Sequence, residues 1–225
     1  TRPIVDFMFI DFILDAMGEI VNQIAKIQYM SSGRLKMPVL LRGCIGIGGA
    51  AATHHSGNYS TMFGHIPGFR VVMPSNAYDA KGLFTNALTG YDPVLFLEHK
   101  SLVFTKGPVP EEEYTIPFGQ ARVAREGDAA TIATIGAMVP RSVAVAEKLA
   151  QEGSNVQVIA RRCASQLDTD TVLASVHKTG RLLIVDETFQ PFGIGAEVSA
   201  QVTEKGFDDL DAPIMRLNGV HTPTP

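Results

Sequence analysis

Two adjacent histidines and a serine, His54, His55 and Ser56, close a loop that is rich in glycine and alanine. The loop covers residues 43–57, and its composition is too flexible for the interior of a helix or strand. Imidazole titrates near neutral pH, so an exposed histidine on such a loop suits proton transfer or anion binding. A histidine with a purely structural role is the alternative. Residue types and spacing alone leave both roles open.

The same loop suggests two other chemistries, and the sequence favours neither. Gly46, Gly48 and Ala51 have the spacing of a dinucleotide fingerprint. No amphipathic helix pattern follows, however, and no acidic residue stands about 20 positions on to hold a ribose. A metal site is disfavoured because adjacent histidines point in different directions and no other ligand stands at a suitable spacing. A similar spacing at Gly193 and Gly195 is better explained by a closely packed helix start.

Strand and helix patterns alternate along the chain around this loop. Strands are predicted over 4–12, 38–42, 69–73, 93–98, 130–134, 156–159, 181–186 and 214–217. Helices are predicted over 13–29, 77–89, 139–149, 169–179 and 196–205. We expect the first strand to be buried and the first helix to pack through Leu14, Met17, Val21 and Ile24. The alternation predicts an α/β fold with mainly parallel sheets flanked by helices.

A segment rich in proline and glutamate separates two halves of the chain. We interpret residues 106–126 as an interdomain connection with some extended structure, between one domain over 1–105 and another over 127–225. The acidic run 111–113 is interpreted as a solvated loop.

Composition excludes several classes of protein. The 225 residues include 19 basic and 23 acidic side chains, with no basic cluster that would indicate nucleic-acid binding. No apolar run is long enough to span a membrane. Two cysteines, Cys44 and Cys163, do not suggest a disulfide framework and fit a reducing compartment. Charged residues make up only 19 %, which predicts that part of the surface faces another protein. Thr1 begins no targeting pattern, and we interpret the chain as lacking its natural beginning.

Many short segments together resemble the beta subunit of the thiamine-diphosphate-dependent first component of 2-oxo acid dehydrogenase complexes. The resemblance covers essentially the whole chain. It rests on the segments at 2–8, 11–12, 25–26, 29–33, 55–56, 65–68, 79–83, 93–100, 167–168 and 193–197.

The resemblance implies a transketolase-like pyrimidine-binding domain followed by a transketolase C-terminal domain. It also implies an α2β2 heterotetramer in which thiamine diphosphate lies between alpha and beta subunits and the alpha subunit supplies the Mg²⁺ site. The implied reaction is oxidative decarboxylation of a 2-oxo acid such as pyruvate, with acyl transfer to the lipoyl group of an acyltransferase partner. The implied compartment is the bacterial cytoplasm or the mitochondrial matrix.

Site residues follow from the resemblance position by position. The aromatic residue that stacks on the aminopyrimidine falls on Phe12, and the active-site histidine falls on His55. The glutamate that activates the cofactor precedes the segment resembling residues 2–3, so we expect the chain as given to be inactive alone. A potassium site, built mainly from carbonyl oxygens, falls on Val39, Ala87, Leu88 and Asp92.

The sequence departs from the family pattern at several points. His54 and Gly57 stand where many members carry glutamine, and residues 160–166 replace a more usual Asp-Leu-Arg-Thr run, so we expect that loop to pack differently. Gly90 and Tyr91 depart from the potassium pattern. No residue separates pyruvate, branched-chain and acetoin substrates, so an acetoin dehydrogenase beta subunit remains an alternative. A nucleotide-binding oxidoreductase and a non-catalytic scaffold module are the alternatives from other classes.

Overall fold

The computed structural model describes residues 1–224, which fall into two compact units. The first comprises residues 1–118 and 163–166, and the second residues 119–162 and 167–222. Each unit holds one sheet, and the predicted boundaries of the interdomain connection stay a prediction. No helix within residues 1–224 has both the length and the apolar character needed to cross a membrane.

The sheet of the first unit is entirely parallel. Its strands are β1 (Ile4–Phe9), β2 (Leu40–Ile45), β3 (Arg70–Val72) and β4 (Val94–His99), in the order β1-β2-β4-β3. The α-helices are α1 (Ile27–Met30), α2 (Ser60–Gly64) and α3 (Ala77–Thr89). Leu40 of β2 lies opposite Ile4 of β1 and Val94 of β4, so pairing with β2 sets the register of both neighbouring strands. Three residues of β4, Leu95, Phe96 and Leu97, are almost fully buried.

Helix α3 begins and ends where its capping residues predict. The Asn76 side chain accepts a hydrogen bond from the Asp79 amide at 2.7 Å, and Gly90 leaves the helix in an extended conformation. Leu83 and Ala87 on its inner face join the core of this unit. The predicted bounds 77–89 are confirmed.

The segment before β2 differs from the prediction in two ways. Strand β1 is largely exposed because it forms the edge of the sheet, so the expectation of a buried strand was wrong. Residues 13–29 do not form one amphipathic helix. A 3₁₀ helix covers Ile10–Ala16, a π-helix covers Gly18–Ile24, and α1 follows.

The face that this segment buries also differs from the predicted one. Ile13 and Ile20 are buried, whereas Leu14 is 39 % exposed. Apolar residues three to four positions apart suit 3₁₀, α and π geometry alike, so the spacing did not fix which side chains turn inward.

The second unit is a five-stranded sheet with helices. Its strands are β5 (Arg122–Arg125), β6 (Thr131–Ile135), β7 (Gln157–Arg161), β8 (Leu182–Phe189) and β9 (Met215–Gly219), in the order β5-β7-β6-β8-β9. Only β5 is antiparallel to its neighbour. The helices are α4 (Met138–Gln151), α5 (Thr169–Thr179) and α6 (Ile194–Gly206). Two mainly parallel sheets flanked by helices confirm the predicted fold class.

Capping residues define both ends of α5 in the second unit. Asp168 accepts a hydrogen bond from the Thr171 amide at 3.1 Å, and Gly180 ends α5 in the left-handed region at φ 66°. Val139 and Ala146 of α4 are buried on the predicted face.

A buried arginine of this core lacks side-chain hydrogen bonds in the part of the chain that the structure describes. Arg161 ends β7 and is 2 % exposed, and none of its guanidinium nitrogens has a hydrogen-bond partner among the described residues. Burial lowers the pKa of Arg161, and the nearby Asp186 carboxylate only partly opposes this. Both oxygens of Asp186 instead accept hydrogen bonds from Thr188.

Candidate active site

The glycine-rich loop after β2 is folded tightly rather than open. Its backbone has positive φ at Gly46, Gly48, Gly49, Ala50 and Ala52. The left-handed region costs a non-glycine residue free energy, so the two alanines store strain of the kind that clusters at functional sites. The amide of Gly46 donates to the carbonyl of Gly57 at 3.1 Å and closes the loop. The strained turn leads into a 3₁₀ helix over Thr53–His55.

His55 stands in a group of aromatic rings at the carboxyl end of β1. Its ring centroid lies 4.5 Å from Phe9, 5.7 Å from Phe12 and 4.1 Å from His54. Phe9 ends β1 and Phe12 stands in the following 3₁₀ helix, so the sheet edge and the strained loop bring these rings together. The structure thus places the two predicted site residues, Phe12 and His55, side by side.

Hydrogen bonds define the protonation pattern of the His55 ring. Its Nδ1 lies 2.9 Å from the carbonyl oxygen of Ala51. Because a carbonyl oxygen only accepts, Nδ1 carries the proton in the neutral ring, and Nε2 keeps its lone pair. Lys100 fixes the backbone of the same residue, since its Nζ donates to the His55 carbonyl at 2.6 Å. The arrangement suits a group that accepts or delivers a proton at Nε2.

Phe12 is not an ordinary core residue in this chain. Its side chain is 46 % exposed, whereas its neighbour Ile13 is fully buried. An aromatic ring held beside a histidine with an open apolar face suits stacking on a neutral heteroaromatic ring. The residues present therefore fit the aminopyrimidine half of thiamine diphosphate.

Sequence reasoning missed a carboxylate between these residues. Asp11 Oδ1 accepts hydrogen bonds from the Gly57 amide at 3.1 Å and from the Tyr59 hydroxyl at 3.3 Å. Burial, assisted by the Asp11 charge, raises the pKa of Tyr59, so the hydroxyl stays protonated. The only sequence signal for Asp11 was its position directly before Phe12.

A charged trio joins the three strands beside this group. Arg42 on β2 donates to Asp6 on β1 and to Glu98 on β4. On the same strands, burial, with help from Glu98, raises the pKa of the Cys44 thiol. Cys44 therefore stays protonated at neutral pH, and the structure gives no reason to treat it as a nucleophile.

The dinucleotide alternative lacks its structural context. After Gly46 and Gly48 the chain enters only the three-residue turn Thr53–His55, so no long helix starts there to face a pyrophosphate.

The four predicted potassium residues come from three segments: Val39 directly precedes β2, Ala87 and Leu88 lie in the last turn of α3, and Asp92 precedes β4. Ala87 and Asp92 line a cavity of about 230 Å³. The Asp92 carboxylate accepts hydrogen bonds from Arg70 at 2.9 Å and Gln28 at 3.2 Å. The Val39 carbonyl accepts one from the Val94 amide.

A cation near these residues would therefore depend on main-chain oxygens, and the site stays a prediction. Among residues 1–224 no group of three or more histidines, cysteines or carboxylates could hold a metal ion.

Comparisons with known proteins identify the two domains of the chain. Residues 1–105 match the transketolase pyrimidine-binding domain family, and residues 119–225 match the transketolase C-terminal domain family. A solved structure described as a split-gene transketolase, inactive beta4 tetramer, shares the fold with a TM-score of 0.80 at 20 % identity, covering 99 % of this chain and 68 % of that one.

Curated relatives align with the whole chain. The acetoin:2,6-dichlorophenolindophenol oxidoreductase subunit beta of Cupriavidus necator is 45 % identical over 224 residues, covering 100 % of this chain and 66 % of the relative. The pyruvate dehydrogenase E1 component subunit beta of Rickettsia felis is 42 % identical over 224 residues, covering 100 % of this chain and 69 % of the relative. The mitochondrial pyruvate dehydrogenase E1 component subunit beta-1 of Arabidopsis thaliana is 40 % identical over 228 residues, covering 100 % of this chain and 63 % of the relative. The chain thus spans about two thirds of the length of these relatives.

The chain consists of a transketolase pyrimidine-binding domain followed by a transketolase C-terminal domain, and the aromatic and imidazole cluster lies in the first of these. The chain belongs to the family of pyruvate dehydrogenase E1 component beta subunits and the related acetoin oxidoreductase beta subunits. This confirms the family expected from the sequence.

Proposed function

We propose that this chain is part of the beta subunit of a 2-oxo acid dehydrogenase, where it binds the aminopyrimidine half of thiamine diphosphate. The reaction is oxidative decarboxylation of a 2-oxo acid such as pyruvate, with transfer of the acyl group to a lipoyl group. The observation that carries the proposal is the half-exposed ring of Phe12 beside the His55 imidazole, 5.7 Å apart between ring centroids.

Phe12 would hold the pyrimidine ring by its exposed apolar face. When bound, thiamine diphosphate supplies the electron sink that the loss of carbon dioxide requires. The neighbouring ring of Phe9 and the backbone bond from Lys100 keep His55 from moving away from that face.

His55 would handle protons beside the reacting carbon. Its Nδ1 is occupied by the Ala51 carbonyl, so only Nε2 is available to accept or deliver a proton toward substrate. His54, whose ring is 4.1 Å away, flanks it where many family members carry glutamine, and this difference would shape access for substrate or lipoyl group.

The proposal includes partners that complete the site. An alpha subunit in an α2β2 assembly would hold the diphosphate through Mg²⁺, and a lipoyl-bearing acyltransferase would receive the acyl group. Such an assembly would work in the bacterial cytoplasm or the mitochondrial matrix. The proposal also includes a structural K⁺ at Val39, Ala87, Leu88 and Asp92, which main-chain oxygens would hold.

Acetoin cleavage is the second candidate. It is motivated by the 45 % identity to the Cupriavidus necator acetoin oxidoreductase subunit beta, which is similar to the 42 % identity to the Rickettsia felis pyruvate dehydrogenase subunit and does not rank acetoin above a 2-oxo acid. The two reactions share the cofactor site and differ in the substrate carbonyl compound.

The experiment is a substrate comparison with the full-length polypeptide co-expressed with its alpha subunit. The purified complex is assayed with thiamine diphosphate, Mg²⁺ and an artificial electron acceptor against pyruvate, a branched-chain 2-oxo acid and acetoin. We expect cofactor-dependent turnover of one 2-oxo acid, with the highest kcat/KM for that substrate. A preference for acetoin would select the second candidate, and cofactor-independent or absent turnover of all three would contradict both.

A further inference from the structure

We propose that Asp11 is a positioning residue, which ties the segment carrying Phe12 to the loop carrying His55 and so sets the distance between the two. The proposal rests on the proposed function of these residues, and nothing in the family resemblance assigned a role to Asp11. Its basis is a hydrogen-bonded cluster of Asp11, Gly57 and Tyr59, which we call the Asp11 clamp.

The clamp connects two parts of the chain that are far apart in sequence. Asp11 lies one residue before Phe12 on the 3₁₀ helix, and Gly57 lies two residues after His55. One carboxylate oxygen of Asp11 receives both the Gly57 amide, at 3.1 Å, and the Tyr59 hydroxyl, at 3.3 Å. A shift of Asp11 would therefore move the His55 loop relative to Phe12.

Close packing makes the clamp specific for its residue types. A methyl group at position 57 would overlap the Asp11 carboxylate and the Tyr59 ring, so only glycine allows this approach. Gly57 is also the residue whose carbonyl closes the strained loop through Gly46. The clamp and the loop closure thus act on the same residue.

The unused oxygen of Asp11 indicates that stability alone does not explain the carboxylate. Asp11 Oδ2 is buried and has no hydrogen-bond partner among the described residues. A buried charged oxygen without a donor opposes folding. A buried polar atom without a partner calls for an explanation, and a role in the function of the site is one such explanation.

The test uses the full-length beta chain in complex with its alpha subunit. Variants are Asp11→Ala, which removes the acceptor, and Asp11→Asn, which keeps a side-chain oxygen for the Gly57 amide and the Tyr59 hydroxyl. The matched control is Asp15→Ala, because Asp15 is an exposed aspartate on the same 3₁₀ helix. The readouts are kcat and KM, the dissociation constant for thiamine diphosphate with Mg²⁺, and the rate at which diethyl pyrocarbonate modifies His55, measured by peptide mass spectrometry.

We expect Asp11→Ala to lower kcat about 100-fold, since a displacement of about 1 Å in a catalytic group has that effect. KM and cofactor affinity should stay within about threefold of the parent, because Phe12 is retained. Asp11→Asn should recover kcat to within about tenfold of the parent. Modification of His55 should accelerate in Asp11→Ala and stay unchanged in Asp15→Ala.

Two results would overturn the positioning role: a kcat of Asp11→Ala within about threefold of the parent, or Asp11→Asn no better than Asp11→Ala. The modification rate does not depend on turnover. If the parent complex shows no turnover, the proposed function fails, and an unchanged His55 modification rate in Asp11→Ala would separately contradict the clamp.

Discussion

The two units contain similar sheets, but they differ in the regularity of the segments that connect the strands. In the first unit, the residues after β1 and β2 leave regular geometry: a 3₁₀ helix follows β1, and Ala50 and Ala52 adopt left-handed φ values of 49° and 64°. In the second unit, α5 begins at a capping aspartate, Asp168, and ends at a left-handed glycine, Gly180. Irregularity in the first unit coincides with exposed aromatic and imidazole rings.

The difference between the units shows that the irregular backbone of the first unit lies beside side chains that could do chemistry. His55 is held through the hydrogen bond between its Nδ1 and the Ala51 carbonyl, and Asp11, the residue before Phe12, accepts a hydrogen bond from the Gly57 amide. The rings of Phe12 and His55 remain partly open to solvent.

The second unit has its own departures. Arg161 is buried without hydrogen-bond partners among the described residues, and Phe192 has a left-handed φ of 59° with a ring that is 90 % exposed. The first unit differs because its irregular segments bring the rings of Phe9, Phe12, His54 and His55 together.

The largest effect is expected from His55→Ala, measured against His177→Ala. His177 is an exposed histidine of α5 in the second unit, 2.8 Å from Asp209. Removing a proton-transfer group lowers kcat by about 100-fold or more. We expect that loss for His55→Ala in acyl transfer to lipoyl by the complex, with assembly retained, and an unchanged kcat for His177→Ala. Equal activities of the two variants would remove the distinction between the units.

The next effect concerns the buried arginine of the second unit. Arg161→Met removes a guanidinium that lacks hydrogen-bond partners and keeps much of its volume. The buried Asp186 carboxylate beside it keeps both hydrogen bonds from Thr188, so the free energy of unfolding should rise by roughly 2 kcal/mol. Urea unfolding of the full-length complex measures this change. Arg162→Met is the control, because Arg162 donates to the Gln120 carbonyl and should not gain stability on replacement. A decrease in stability for Arg161→Met would mean that the guanidinium has a stabilising partner.

A smaller effect tests the capping pattern of the second unit. Asp168→Ala removes the acceptor of the Thr171 amide and of the Ala121 amide, the latter at 2.8 Å. The free energy of unfolding should fall by about 1–2 kcal/mol, while kcat stays unchanged. Asp170→Ala, an exposed neighbour in the same helical turn, should change stability little. A loss of kcat without a loss of stability would contradict the purely structural role that we assign to Asp168 in the second unit.

The smallest effect is a pH-dependent one at the edge of the first unit. Although burial opposes it, hydrogen bonds from Arg70 and Gln28 lower the pKa of Asp92. A carboxylate with a lowered folded-state pKa stabilises the fold above its unfolded-state pKa, and this contribution is lost as the pH falls through the folded value. Because Asp92 is 48 % exposed, Asp92→Asn should cost less than about 1 kcal/mol. Unfolding free energies should differ above pH of about 5 and converge below about 4; a constant difference would contradict the ion pair.

Sequence patterns predicted the regular elements well and the irregular ones poorly. Asn76 and Gly90 marked the ends of α3, because caps and stops act through local hydrogen bonds that need no tertiary context. The helix over 13–29 failed because Gly18 and the surrounding packing divide that segment into 3₁₀, π and α turns, which share one apolar spacing.

Roles for Phe12 and His55 were predicted only from the family resemblance, and these roles stay predictions. Phe12 and His55 came from aligned family positions, and the structure places their rings together. The contacts of Asp11 could not be predicted from its position before Phe12, because its partners, Gly57 and Tyr59, are more than 40 positions away and contribute a backbone amide and a phenol. Long-range contacts of that kind follow from loop geometry, which no local pattern encodes.

Cofactor affinity tests the central claim most directly. The dissociation constant for thiamine diphosphate with Mg²⁺ is measured for the full-length complex carrying Phe12→Ala, and for a control carrying Phe192→Ala, whose ring is 90 % exposed in the second unit. Loss of an aromatic stacking partner should weaken binding about tenfold for Phe12→Ala and leave Phe192→Ala unchanged. Equal affinities in the parent and Phe12→Ala would contradict the placement of the cofactor beside Phe12 and His55.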